Sequence, residues 1–347
     1  MSIIRKIKTA IAYSPLFKAY ADILIRQTEQ DRFMVDARRR LVADGHPELL
    51  DAYAADMKRY MVDFDEWSSM YCFSDLTPEQ KEEFISRSEA QRHYRRIIRH
   101  SWREEFHDKE RFLRKWSAFV HRSWLRVTPA TPLEEIVGAI SGRTCIVKPV
   151  SGSLGNGVYK ISPGTPEEAV AEAAKILGTD SLIEECIQGC AELQRFHPES
   201  LNTIRVVTVR GRSGIRVLGS FIRFGRGGAV VDNAHAGGIF AHIDISDGTV
   251  DSDATNTDGE RFSVHPDTGL EIKGTRIPQW DTITERCVSA HALCDNFVVG
   301  WDVTVNSRGE VEFIEGNHAP EVDVMQGPLK KGIRRDFIQA VREFRNR

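Results

Sequence analysis

The chain has 347 residues, 41% of them hydrophobic and 28% charged, with a formal net charge of −3. This is the composition of a folded globular protein with room for two or three domains. It excludes a helical membrane protein, because no apolar stretch approaches the roughly 20 residues that a span needs.

The N-terminal stretch "MSIIRKIKTAIAYSPLF" does not read as a signal peptide. Lys8 and Thr9 interrupt its apolar part, and no small-residue cleavage site follows. It could instead touch a membrane surface or dock onto the body of the protein. The six cysteines form no CxxC pair and no zinc spacing, so free thiols and a cytoplasmic location are expected.

Residues 1–125 are rich in charge and poor in glycine. "PELLDAYAADMKRYMVDF" and "TPEQKEEFISRSEAQRHYRRIIRHSW" carry apolar residues at helical spacing, with Thr77 as N-cap and Pro78 as first helical residue. From about residue 144 short strand-like runs take over, separated by Gly, Asn and Asp turns: "TCIVKPV", "GVYKI", "SLIEECI", "TIRVVTVR", "IRVLGSFIRF", "GIFAHIDI", "FVVGWDVTV" and "VEFIEG". "TPEEAVAEAAKIL" and "DTITERCVSAHALC" lie between them as helices, and "LKKGIRRDFIQAVREF" closes the chain. The expected architecture is a helical N-terminal region before an α+β body of mainly antiparallel strands.

Five stretches carry chemistry. In "IVKPVSGSLGNGVYKI", Lys148 sits inside a strand, where a charge needs an anionic partner. Ser151, Gly152, Ser153, Gly155, Asn156 and Gly157 follow at once. Glycines let backbone N–H groups approach an anion closely, and Lys148 would add a point charge for the same phosphate. A hairpin with a Gly-rich turn would read the same way. In "GWDVTVNSRGEVEFIEGNHAP", a hairpin centred on "NSRG" brings Asp302 near Glu315, and Asn317 shares a face with Glu315. Three oxygen ligands on one face suit Mg2+; a solvated strand end with ordinary acids is the alternative. The third stretch, "SLIEECIQGCAEL", runs from apolar residues into Glu184, Glu185, Ile187 and Glu192. It could offer backbone groups to adenine and a carboxylate to ribose, or be a buried strand entering a helix. In "HPESLNTIRVVTVR", Arg205 could clamp a phosphate or carboxylate, or be a surface residue. In "VVDNAHAGGIFAHID", Asp232, Asn233 and His235 stand beside paired glycines; an ordinary loop histidine is the simpler reading of His235.

In this order, "VKPVSGSLGNGV", "LIEECI", "GWDVTV" and "FIEGN" resemble the ATP-grasp superfamily. "HPESLNTIRVVTV", "VVDNAHAGGI", "VHPDTGLEIKGTRIPQW" and "EGNHAPEVDVMQ" bring the chain closer to its sugar-transfer-associated branch, over roughly residues 105–330. The resemblance implies two α+β subdomains that grip ATP between antiparallel sheets. They divide at about 144–200 (lid) and 201–330 (metal and substrate), within a body of 126–347 that ends in a helix at 331–347. It implies that Lys148 holds an ATP phosphate, that the Gly-rich loop folds over the phosphates, and that Glu184, Glu185, Ile187 and Glu192 line the adenine and ribose hinge. It implies Mg2+ on Asp302, Glu315 and Asn317. "HDKERF" resembles the helix that offers a second phosphate lysine, here Lys109.

Two departures stand out. The parallel βαβ domain that precedes the grasp in D-alanine–D-alanine ligase is not recognisable. The arginine which that ligase places two residues before the metal Asp is Gly300 here, leaving Arg205 as the candidate. The implied activity is an ATP- and Mg2+-dependent carboxylate–amine or carboxylate–thiol ligase acting through an acyl phosphate, with Arg205, Asn233 and Lys148 as catalytic residues. Polysaccharide or secondary-metabolite biosynthesis would suit the family. A kinase on the same fold, with Asp232 or His235 as base, and a non-catalytic nucleotide-binding regulator are the alternatives. Expected partners are small-molecule or glycan-linked carboxylates and amines, with no nucleic acid. The basic cluster Arg92, Arg95, Arg96, Arg99 and Arg103 could attract an anionic glycan or lipid head group, or be a solvated helix face.

Overall fold

A computed structural model describes residues 14–70, 73–151, 157–229, 232 and 237–347. The N-terminal region is helical: α1 (Pro15–Ala43), α2 (Leu50–Tyr60), α3 (Pro78–Glu83), α4 (Arg87–Ile97), α5 (His100–His107) and α6 (Lys109–Lys115). Thr77 accepts the Gln80 N–H and Gln80 reaches back to the Thr77 N–H, which is the capping box that starts α3. The run that follows is not one helix. It breaks at Phe84 and Ile85, which turn into the core, and Ser86 caps α4 afresh. No helix among the described residues is long and apolar enough to cross a membrane.

Next come β1 (Trp124–Val127), α7 (Leu133–Ile140), β2 (Cys145–Pro149), β3 (Tyr159–Ile161), α8 (Pro166–Ile176) and β4 (Ser181–Glu185). Among the described residues these strands form an antiparallel sheet in the order β1-β4-β2-β3. Helices α7 and α8 cover one face, around Ile136, Ile140, Ala169, Val147 and Ile183. The small sheet thus takes in β1 and α7, which lie before residue 144.

The short helix α9 (Ala191–Gln194) leads to β5 (Ile204–Gly211), β6 (Gly214–Phe224), β7 (Ile239–Ile243), β8 (Ala254–Thr255), β9 (Arg261–Phe262), α10 (Trp280–Ala292), β10 (Val298–Val305), β11 (Val311–Asn317) and α11 (Arg334–Arg345). The second sheet runs β11-β10-β5-β6-β7-β8-β9, antiparallel throughout the described pairs. All eight residues of β10 are buried, as expected for an inner strand covered on both faces.

One face of this sheet packs Val206, Ile222, Trp301 and Phe313 against α10 and the aromatic residues Phe106, Phe112 and Trp116. The other face presents Val207, Val209 and Phe221 to Tyr53 and Tyr94 of the N-terminal helices and Phe337 of α11. The N-terminal helices are therefore built onto the large sheet. The two sheets also meet where Cys190 N–H donates to Val305 O at 2.8 Å and Ser307 N–H to Gln188 O at 2.9 Å. That seam joins the hinge after β4 to the turn between β10 and β11.

Candidate nucleotide and metal site

Register decides which side chains meet. Asp302 pairs with Arg205 of β5 on one side and with Glu315 of β11 on the other. Cross-strand partners put their side chains on the same face. The β10–β11 register slips between Asp302 and Val303: Val303 faces Phe313, whereas Asp302 faces Glu315. The extra residue, Ile314, is a bulge. It keeps Phe313 in the core while Glu312 and Glu315, three residues apart, both reach the face of Asp302.

Arg205, expected as a clamp or as a surface residue, is buried and bound to Asp302. Its Nε donates to Asp302 Oδ1, and its Nη2 to Oδ2 at 2.8 Å. Arg223 of β6 joins from the next strand, with Nη2 2.9 Å from Asp302 Oδ2. The glycine at 300 explains the absent arginine. A Cβ there would lie 2.8 Å from Pro320 Cβ and 3.1 Å from Arg205 Cδ, so the Arg205 side chain already fills that space. Burial alone would push the Asp302 carboxyl up; the two guanidinium groups overcome this and hold it far below the ordinary carboxylate range.

Arg223 is held further by Thr203, whose Oγ1 accepts from its Nε at 3.0 Å and Nη2 at 2.6 Å. Thr203 in turn donates its N–H and hydroxyl to buried Asp232 Oδ2, at 2.5 and 2.6 Å. Sequence reading did not find Arg223. It stands in "GSFIRFGRG", where only alternation with buried Phe221–Ile222–Phe224 hints at an inward side chain.

On the other side of the cleft, Lys148 lies on the inner face of the small sheet, its Nζ 2.7 Å from Glu184 Oε1. Glu184 was expected at the adenine and ribose hinge; its carboxylate is instead turned inward, onto Lys148 and Arg122. Glu185 faces the other way and accepts from the N–H and hydroxyl of Ser123, at 3.1 and 3.2 Å. Ile187 is half-buried in the hinge, and Glu192 is exposed on α9.

Lys109 is the first residue of α6, its N–H donating to Val150 O at 3.1 Å. It lines one pocket with Lys148, Arg122, Glu184 and Glu315. Burial, and then the nearby charge of Lys148, lower its pKa. The two lysines predicted to contact phosphate, 39 positions apart in sequence, thus come together. Ser151 forms an isolated bridge with Asp108, and Gly157 adopts φ +73°, with Pro149 Cγ only 3.0 Å from where a Cβ would stand. Ser153, Gly155, Asn156, Asn233 and His235 lie outside the described residues.

Glu315 is open to the cleft on one side and ringed by protein on the others. Its carboxylate has no hydrogen-bond or ion-pair partner among the described residues. Glu315 stays exposed to the cleft, yet the protein packed around it, and then the negative charge of Asp302, raise its pKa. Two neighbouring carboxylates, one lacking a partner and disfavoured as an anion, fit a divalent cation. Asn317, paired with Gly300, is half-buried, and its Oδ1 accepts the Ala319 N–H at 3.0 Å. No trio of His, Cys, Asp or Glu gathers among the described residues.

The sugar-transfer associated ATP-grasp family model matches residues 120–343, and the chain belongs to that family. No curated protein matches it significantly. Among solved structures it is similar to the ATP-grasp ligase PsnB complexed with a minimal precursor, Mg and ADP: 14% identity over 72% of this chain and 61% of that one, TM-score 0.44. It is also similar to D-alanyl-alanine synthetase A from Vibrio cholerae: 12% identity, 70% and 66% coverage, TM-score 0.42. A third is N5-carboxyaminoimidazole synthase from Aspergillus clavatus: 9% identity, 67% and 52% coverage, TM-score 0.40. The chain spans less than two thirds of the length of each. At these identities the likeness is one of chain path and assigns no residue.

Proposed function

We propose that the chain is an ATP-dependent ligase that joins a carboxylate to an amine or thiol through an acyl phosphate. The observation that carries this reading is the convergence of Lys109, Lys148 and Glu315 on one pocket, with Asp302 the cross-strand partner of Glu315. Cations for phosphate and a carboxylate pair for a divalent ion are what phosphoryl transfer asks of a protein, whose part is positioning and charge neutralisation.

Lys109 and Lys148 bind ATP phosphates, and Glu185, Ile187 and Glu192 lie at the hinge for adenine and ribose. Ser151, Ser153, Gly155, Asn156 and Gly157 close over the phosphates and exclude water. Asp302, Glu315 and Asn317 would hold Mg2+, which supplies positive charge against the phosphate oxygens. Arg205 and Arg223, beside Asp302, would take the transferred phosphoryl oxygens, with Asn233 assisting. A substrate carboxylate oxygen attacks the γ-phosphorus and ADP leaves. The amine or thiol then attacks the acyl carbon, and inorganic phosphate departs with the C–O electron pair as the nucleophile loses its proton.

A kinase would need a base near its acceptor. The Asp232 Oδ2 is already engaged by Thr203, which disfavours that residue. The test is a panel of amino acids and sugar acids incubated with ATP and Mg2+. A ligase releases ADP and inorganic phosphate in equal amounts, only when both acceptors are present. A phosphorylated acceptor without phosphate release would make the chain a kinase. Nucleotide binding with no turnover on any acceptor pair would favour a regulator. A place in polysaccharide or secondary-metabolite biosynthesis fits a glycan-linked acceptor and is tested by the same panel.

A further inference from the structure

Arg122 stands in the short link between Phe119 and β1, where the chain passes from the large-sheet layers to the small sheet. Its side chain is only 2% exposed. Nε donates to Glu184 Oε2 at 2.7 Å; Nη1 donates to Glu312 Oε1 at 2.7 Å and to Phe313 O at 2.6 Å; Nη2 donates to Ile314 O at 3.1 Å. The backbone N–H of His121 adds a bond to Glu312 Oε2 at 2.8 Å. One guanidinium therefore ties β4 of the small sheet to β11 of the large one.

Its partners are not arbitrary. Glu184 is the counter-ion of Lys148. Phe313 and Ile314 flank the bulge that turns Glu315 toward Asp302, and β11 is an edge strand whose outer carbonyls need donors. Burial alone would push the Glu184 carboxyl up; Arg122 and Lys148 overcome it and bring it to about 2. Stability is a poor reason for such a cluster, because apolar replacements of buried ion networks are often neutral or stabilising.

We infer that Arg122 is a positioning residue, which aims Lys148 through Glu184 and fixes its separation from the Glu315 strand. The inference rests on the nucleotide reading of the cleft. With Arg122 in place, Glu184 is shared between two cations, and Lys148 keeps positive charge to offer an incoming phosphate. Without it, Lys148 is fully neutralised by Glu184, and nothing spans the two sheets at this point.

The test compares a fluorescent ATP analogue with its adenosine counterpart, without added metal, on the wild type and on Lys148→Met, Arg122→Lys and Glu312→Gln. Lysine keeps the charge of Arg122 but cannot span four acceptors. Arg122→Lys should weaken the triphosphate about tenfold, by analogy with the loss when a partner that orients a metal ligand is removed, and leave adenosine affinity unchanged. Glu312→Gln should weaken it less, in the same selective way. A merely structural role would lower both affinities together or neither. The inference is overturned if folded Arg122→Lys keeps wild-type triphosphate affinity while Lys148→Met loses it, or if both bridge variants fail to fold. Loss of no affinity in Lys148→Met, or no binding by the wild type, removes the nucleotide reading and the inference with it.

Discussion

Two buried charge clusters adjoin Glu315, and they are built in opposite senses. In one, a single carboxylate, Asp302, lies between the guanidinium groups of Arg205 and Arg223. In the other, a single guanidinium, Arg122, lies between the carboxylates of Glu184 and Glu312, with Lys148 beyond. The first belongs to three neighbouring strands of one sheet and keeps its shape as long as that sheet is intact. The second crosses from sheet to sheet. The Asp302 side of the cleft is thus fixed by strand register, whereas the Lys148 side depends on a bridge.

The sharpest way to break this contrast is Asp302→Asn. It leaves two buried arginines without their shared anion and should cost about 3–5 kcal/mol, the scale for removing one partner of a buried pair. Glu184→Gln should cost less, because Arg122 keeps Glu312 and two carbonyls. Urea unfolding of both variants reads the difference, and equal losses would erase it. Next in size is Gly300→Ala, whose new methyl meets Pro320 and Arg205. Shifting Pro320 and then Arg205 should cost about 1–3 kcal/mol, as overpacking does, and in Arg205→Ala the same change should cost somewhat less, because one of the two crowded side chains is gone.

pH separates the carboxylates by sign. Asp302 and Glu184 are held below their ordinary range. Their contribution is fully present above that range and is lost as pH falls through it. Glu315 is raised, so its ionised form costs stability at neutral pH, and that cost disappears on acidification through its raised pKa. Without metal, Glu315→Gln should therefore melt slightly higher than wild type at pH 7 to 8, by a margin that closes as pH falls into the carboxylate range. A variant that melts lower at pH 7 would mean the carboxylate is paired in solution. The smallest effect expected is that of Glu185→Gln. It removes a partly exposed acceptor of Ser123 and should change stability by less than about 1 kcal/mol.

The sequence announced one side of each cluster. Lys148 before glycines, and Asp302 answered by Glu315 across a turn, are local patterns. Strand alternation makes them legible, and eight of the eleven described strands of the two sheets fall where apolar runs stand. The four-residue β1 and the two-residue β8 and β9 were missed for want of length. Arg122 and Arg223 were missed for another reason. Arg122 bonds to residues 62 and 190 positions away, and Arg223 meets Asp302 only because β5 lies between their strands. Long-range pairing leaves no mark in a short window. The bulge at Ile314 was equally silent, yet without it Glu315 would share the face of Phe313. Glu184 misled in a particular way: two adjacent glutamates look alike in sequence, but alternation sends one inward to Lys148 and the other out to Ser123.

The central claim is that the cleft binds a nucleotide together with a divalent cation held by Asp302 and Glu315. Titration calorimetry with a non-hydrolysable ATP analogue, with and without Mg2+, tests it on the wild type and on Glu315→Gln. Mg2+ should tighten binding to the wild type at least about tenfold, in keeping with the loss that follows when a ligand or its support is removed, and should leave Glu315→Gln nearly unaffected. An equal gain in both proteins would contradict the account.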